Sequence, residues 1–265
     1  MPDRWVLPDR RAALEWCRDR NEQGMTCILD ILGRYSRQES DARNVHDSYV
    51  SLIGDISKNG LRASITVKPS TLGGTLHREN TMRLARSICE KAASKKVPFE
   101  LYMEGQRMVD LTLGIAVDCL QSGLPVTVTL QAYLRRTGQD IDAMLDAGAR
   151  IRLVKGAYTG DISDFNMIQE AFKDAAEQII EQDIPFCIAT HDPDLLRWAM
   201  NRIPDRDFIE YSFLKGLANE TKEMMAFEGW KVSEYVPYGN AKEGYETRRR
   251  TYLAKLEELG RSPLP

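Results

Sequence analysis

Apolar and polar positions alternate in two different rhythms along this chain, and the rhythms take turns. Short β-branched runs with a period of two give way to longer stretches with the i, i+3, i+4 spacing of amphipathic helices. The runs Cys27–Leu32, Ala63–Lys68, Phe99–Glu104 and Pro125–Tyr133 predict four strands. Arg150–Tyr158, Ile184–His191, Phe208–Leu214 and Lys231–Val236 predict four more. Helices are expected between and after them, over Asp41–Lys58, Glu79–Lys95, Val109–Leu120, Asp140–Ala147, Asn166–Glu181, Pro193–Asn201, Glu220–Phe227 and Lys242–Leu259. Gly24, Gly60, Gly123, Gly148 and Gly229 stand where helices end, the position in which glycine accepts a left-handed backbone. An additional helix over Asp9–Gln23, N-capped by Asp9, precedes the first strand and is expected to cover the bottom of the sheet.

Eight alternating strand and helix units imply a parallel sheet covered by helices, and 265 residues suit one closed (β/α)8 barrel, which needs about 250. No G-x-G-x-x-G follows the first strand, which argues against an open dinucleotide-binding sheet. The expected organisation is one domain over residues 1–265, an extra N-terminal helix within 1–26 and a flexible tail at 260–265.

Composition narrows the function by exclusion. A net charge of -3 without a long basic run argues against nucleic acid. No apolar stretch approaches the roughly 18 residues of a membrane span, and the N-terminus lacks a signal-peptide core, so a cytoplasmic protein is expected. The five cysteines are scattered without a C-x-x-C pair, and the three histidines lack metal-site spacing, so no metal is expected.

Barrel chemistry belongs at the C-terminal ends of the strands. There the runs end in Lys68, Glu104, Gln131 and Tyr133, Lys155-Gly156-Ala157-Tyr158, Thr190-His191-Asp192, and Tyr235 with Tyr238. Strand parity puts Ser64, Thr66 and Lys68 on one face and Thr127, Thr129 and Gln131 on another, predicting a polar barrel interior. In the last helix Tyr245, Arg248 and Arg249 fall at i, i+3 and i+4, so they share a face. Two guanidinium groups side by side suit a carboxylate.

Together these segments resemble the proline dehydrogenases. The resemblance runs through Ile28-Leu-Asp, Lys68 before Leu72-Gly73, LQAYLRRT (Leu130 to Thr137), RLVKGAY (Arg152 to Tyr158), ATHD (Ala189 to Asp192), YVPYG (Tyr235 to Gly239) and Tyr-x-x-Arg-Arg (Tyr245 to Arg249). It implies a barrel whose last helix packs over the mouth, non-covalent FAD, and hydride transfer from proline C5 to flavin N5, giving Δ1-pyrroline-5-carboxylate. By position, Arg248 and Arg249 would clamp the substrate carboxylate with Lys68 beside them, while Leu214, Tyr235 and Tyr245 pack around the ring. Gln131, Arg152, Lys155, Gly156, Ala157, Tyr158, Thr190 and His191 would hold the flavin, the Gly-Ala pair admitting a close approach. A quinone acceptor and peripheral membrane contact are implied as partners.

The chain departs from the family pattern at Tyr102, where an Asp is usual, at Tyr252, where a Glu is common, and at Lys215, where an aromatic is common. Tyr102 and Glu104 are expected to share a strand face, with Glu104 partly replacing the missing carboxylate. These changes lie where the substrate is expected, so hydroxyproline or another cyclic imino acid stays open as substrate. Two other readings stay open: a flavin-free lyase using Lys155 or Lys68 as a Schiff-base amine, and a barrel that binds without turnover.

Overall fold

The computed structural model describes residues 4–260 and 264–265. Helix α1 (Arg10–Glu22) comes first, and eight strands follow: β1 (Thr26–Ile31), β2 (Ala63–Val67), β3 (Phe99–Leu101), β4 (Thr127–Gln131), β5 (Arg150–Val154), β6 (Phe186–Ala189), β7 (Ile209–Leu214) and β8 (Lys231–Tyr238). Between them run α2 (Glu39–Lys58), α3 (Arg78–Ser94), α4 (Val109–Gln121), α5 (Thr137–Asp146), α6 (Phe165–Ile180), α7 (Pro193–Arg202) and α8 (Asn219–Phe227), and α9 (Glu243–Glu258) ends the series. Every strand pairs in parallel with its neighbours in sequence, and β1 closes the ring on β8 with Ile28 opposite Tyr235.

The apolar core fills the layer between the outer faces of the strands and the helices. Tyr49, Leu52, Ile53 and Ile56 of α2 are fully buried there, each such side chain contributing about 1.5–3 kcal/mol. Inside the ring the layer is polar, as parity predicts: Ser64, Thr66, Glu100, Thr127, Thr129, Arg152, Ser212 and Ser233 are all buried. The five glycines expected to end helices all have positive φ, and Asp9 caps α1 by accepting from Ala12 N–H at 2.9 Å.

Three features differ from the sequence reading. Helix α1 does not cover the bottom of the barrel. It lies along the outside of β1 and β8, with Arg10 bonded to Asp55 of α2 at 3.1 Å and Arg20 to Glu223 next to α8's midpoint at 2.7 Å. Its seat is fixed by Glu234, which faces outward from β8, fully buried, and accepts from Trp16 Nε1 at 2.5 Å while pairing with Lys222. Helix α1 therefore fills the place in the ring that the helix after β8 would take, leaving α9 to cross the barrel mouth.

β3 leaves the sheet after Leu101, so Tyr102 and Glu104 do not share a strand face. Glu104 instead accepts from the Ser70 amide at 3.0 Å and its hydroxyl at 2.6 Å. β8, by contrast, runs on to Tyr238, because the N-terminal segment docks beside its end through Leu7 N–H to Pro237 O at 3.0 Å. Of the expected flexible tail, residues 261–263 lie outside the described residues. Leu264 packs against the core, and the Pro265 carbonyl accepts from Thr221 N–H at 3.2 Å.

Among the described residues no helix is long and apolar enough to cross a membrane.

Candidate active site

A cavity of about 400 Å³ opens at the C-terminal ends of the strands, under α9. Of the residues that sequence reasoning assigned to substrate or flavin, Gln131, Arg152, Lys155, Gly156, Ala157, Tyr158, Thr190, His191, Leu214, Tyr235, Tyr245, Arg248 and Arg249 all line it. Lys68 lines an adjoining cavity, which shares Tyr158, Tyr245 and Arg248 with the first.

The floor is a closed charge network. Arg152 bonds Glu100 through Nε at 2.9 Å and Nη2 at 3.1 Å, reaches Glu210 at 3.3 Å and donates to the Ser212 hydroxyl. Burial alone would raise the Glu210 carboxyl, but Arg152 and Arg150 outweigh it and hold the group at about 2. The same carboxylates overcome the desolvation of Arg152 and push its guanidinium further up. Neither Glu100 nor Glu210 was singled out from sequence, although Glu210, Ser212 and Leu214 share strand parity.

On the β5–β6 side, Lys155 pairs with Asp192 at 3.0 Å. Burial opposes ionisation of Asp192, yet Lys155 and Gln169 (2.7 Å) hold its carboxyl below the usual range. Asp192 also caps α7 by accepting from the Asp194 amide, while the Thr190 hydroxyl accepts from the Asp192 amide at 3.1 Å. His191 accepts from Leu214 N–H through Nε2 at 3.0 Å, which makes Nδ1 the protonated nitrogen. Its ring edge reaches the cavity, but enclosing protein, then Arg249, Lys222 and Lys155, press its pKa down to about 3. His191 is therefore a neutral wall at physiological pH.

Gln131 is oriented at both ends, donating to Glu104 O at 3.0 Å and accepting from Tyr133 OH at 2.9 Å. Tyr133 OH in turn accepts from Tyr158 N–H at 2.9 Å. The Tyr133 ring lies so close over Gly156 that a Cβ there would meet Cε1 at 1.7 Å, and φ of +130° excludes most side chains as well. The close approach that Gly156 permits is thus made by Tyr133, a role missed from sequence.

The mouth side is aromatic and cationic. Tyr235 and Tyr245 stack with centroids 6.0 Å apart and an 18° tilt. Tyr235 OH and Lys68 Nζ both donate to Asp30, a fully buried carboxylate of β1 that also faces Tyr49 OH at 3.4 Å. Asp30 was read only as part of a motif; the partners that give it meaning lie on distant strands.

On α9, Arg249 lies over Tyr245 at 5.1 Å and Arg248 over Tyr158 at 5.0 Å. Both Nε atoms are buried without a hydrogen-bond partner, and neither guanidinium forms an ion pair among the described residues. Tyr102 and Tyr252 also line the cavity, with the Tyr252 ring 6.2 Å from the His191 ring. Lys215 does not: it points outward to Arg4 O at 3.1 Å and lies 4.3 Å from the Trp16 ring, because β7 parity turns it toward α1.

The cavity thus has a polar floor and, on its α9 side, two arginines without an acid partner among the described residues. Residues 13–254 match the family model described as proline dehydrogenase. Proline dehydrogenase 1 of Bacillus subtilis (strain 168) is 28% identical over 256 residues, covering 93% of this chain and 84% of that protein. The proline dehydrogenase of Deinococcus radiodurans is 27% identical over 265 residues, covering 92% and 86%. Among solved structures, proline utilization A from Bdellovibrio bacteriovorus, inactivated by N-propargylglycine, superposes with a TM-score of 0.85 at 19% identity. That match covers 92% of this chain but 32% of the larger protein, so this chain spans about a third of it. With the model matched across nearly the whole barrel, this chain belongs to the proline dehydrogenase family.

Proposed function

We propose that the cavity holds FAD and that the chain oxidises L-proline, or a closely related cyclic imino acid, to Δ1-pyrroline-5-carboxylate. The observation that carries this reading is the pair Arg248 and Arg249, drawn into a cavity wall with no acid to neutralise them. A buried cation without an anion is costly, and a substrate carboxylate removes that cost.

The residues present fit a flavin. The cavity combines apolar wall from Val154, Phe165, Ile168 and Leu256 with the cations Lys155 and Lys255 and an oriented Gln131, as a flat ring system with a phosphate-bearing tail requires. Bound there, the flavin supplies the two-electron oxidant. The chain's own residues do the rest: the arginines orient the carboxylate, Leu214, Tyr235 and Tyr245 confine the ring, and α9 covers the mouth to exclude water. Gln131, Lys155, Gly156, Ala157, Tyr158, Thr190 and His191 are the flavin's proposed neighbours, with Arg152 beneath them.

The lyase reading fares worse on geometry. Lys155 and Lys68 are each engaged by a carboxylate, Asp192 and Asp30, whereas a Schiff-base lysine needs a free amine. Anaerobic addition of L-proline to the purified protein tests the proposal. A visible flavin spectrum that bleaches is expected; no bound flavin, or none bleached by any cyclic imino acid, overturns it.

A further inference from the structure

The charges around the cavity pair off almost completely. Glu100 is the only acidic residue among the described residues lining it, and it is committed to Arg152 and Ser64. Lys155 is matched by Asp192 and Lys255 by Glu258. His191 is neutral, as its burial and then three nearby cations require. What remains is the positive charge of Arg248 and Arg249.

Two other carboxylates stand near and do not reach in. Glu104 faces the adjoining cavity, bonded to Ser70. Asp30 lines neither cavity and is held by Lys68 and Tyr235. Tyr102 is the partition. Its ring lines the main cavity, lies 4.7 Å from Lys68 Nζ and 6.2 Å from the Tyr235 ring, and so keeps the Lys68–Asp30 pair on the far side.

A cyclic imino acid brings a carboxylate and a secondary ammonium. Here the first meets two guanidinium groups and the second meets no free anion. An uncompensated positive surrounding disfavours the protonated nitrogen. The protonated nitrogen is also inert. In the neutral amine, the C5–H bond breaks with its electron pair leaving as hydride to the flavin oxidant, the nitrogen lone pair forms the C=N bond, and the iminium N–H proton passes to solvent. Resting on the proline dehydrogenase reading, we propose that Tyr102 is a specificity-determining residue. By putting an uncharged side chain in the wall of a cavity with no free acid, between that cavity and the Lys68–Asp30 pair, it makes the site disfavour the protonated ring nitrogen.

The test uses the flavin-loaded protein and the variants Tyr102→Asp and Tyr102→Asn. The limiting rate of anaerobic flavin reduction at saturating L-proline reports the amine in the complex. In the unsubstituted protein its rise with pH is expected about one unit or more below that of free proline, equivalent to about tenfold. Tyr102→Asp is expected to move that rise upward, whereas Tyr102→Asn leaves it in place. Calorimetry gives a second readout: cyclopentanecarboxylate, which keeps the carboxylate and lacks the ammonium, should bind about tenfold tighter than proline at neutral pH, a difference of about 1.4 kcal/mol.

Equal shifts in the two variants, a rise at the pH of free proline, or equal binding of the two ligands would each overturn the proposal. Should Tyr102→Asp fail to fold, the pH rise and the ligand comparison in the unsubstituted protein still decide. Failure of the underlying reading looks different, since no imino acid would then bleach the flavin at any pH.

Discussion

Arg152 on the barrel floor and Arg249 at its mouth are almost equally buried, at 6% and 8% exposure, yet they keep opposite company. Arg152 sits between two carboxylates and a hydroxyl, each within the same ring of strands. Arg249 has an aromatic face on one side and a buried Nε without a partner. Burying a cation is tolerable once its anion is supplied. At the floor the protein supplies the anion; at the mouth, on the proposed function, the substrate carboxylate would. On that reading the contrast separates an arginine that serves the fold from one that would serve binding, although both line the same cavity.

The contrast can be broken from either end. Arg249→Ala should lower kcat/KM for proline by roughly 30-fold to several thousand-fold, the range that follows from about 2–5 kcal/mol for truncating one partner of a buried charged pair. Its melting temperature should stay level or rise, because no native ion pair is lost; steady-state kinetics and a thermal melt check both halves. Arg152→Ala should do the reverse to stability, leaving Glu100 and Glu210 buried without a cation. A loss of about 3–5 kcal/mol, seen as a fall of roughly 6–20 °C, is expected.

A smaller effect sharpens the comparison through pH. Glu210 ionises at about 2 in the fold against 4.5 ordinarily, so its contribution is complete above about 4.5 and is lost as pH falls toward 2. His191 takes a proton at about 3 in the fold against 6.5 ordinarily, so unfolding is favoured increasingly as pH drops below about 6.5. His191→Asn should therefore flatten the stability profile between pH 6.5 and 4.5, by about 1 kcal/mol at pH 5, and leave the steeper loss below 4.5. Denaturant melts at stepped pH would show it; a profile that does not flatten would place His191 outside the group of residues neutral in the fold.

Much of this arrangement is legible in the sequence, for a definite reason. Strands in a barrel announce their inward face by a period of two, and the chemistry sits where each strand ends, so Gln131, Lys155, His191 and Tyr235 could be placed from local pattern alone. The tyrosine and arginines of α9 were legible because helical spacing puts them on one face. What stayed hidden depends on ring closure. Asp30 acquires its role from Lys68, 38 residues away, and from Tyr235, 205 residues away across the β1–β8 seam. The direction of Lys215 depends on where α1 sits, and no periodicity within β7 reports that. Early termination of β3 was likewise invisible, because Met103 and Glu104 continue its alternation while Ser70 captures the carboxylate.

The seating of α1 has a consequence for how the molecule is assembled. Trp16 precedes by 218 residues the carboxylate it donates to, on Glu234. Until β8 emerges, the helix has only the β1 part of the surface it covers, and β1 has only one strand beside it. Contacts so distant in sequence are slow to form, so α1 must wait, half covered, for β8 before the cylinder can be sealed.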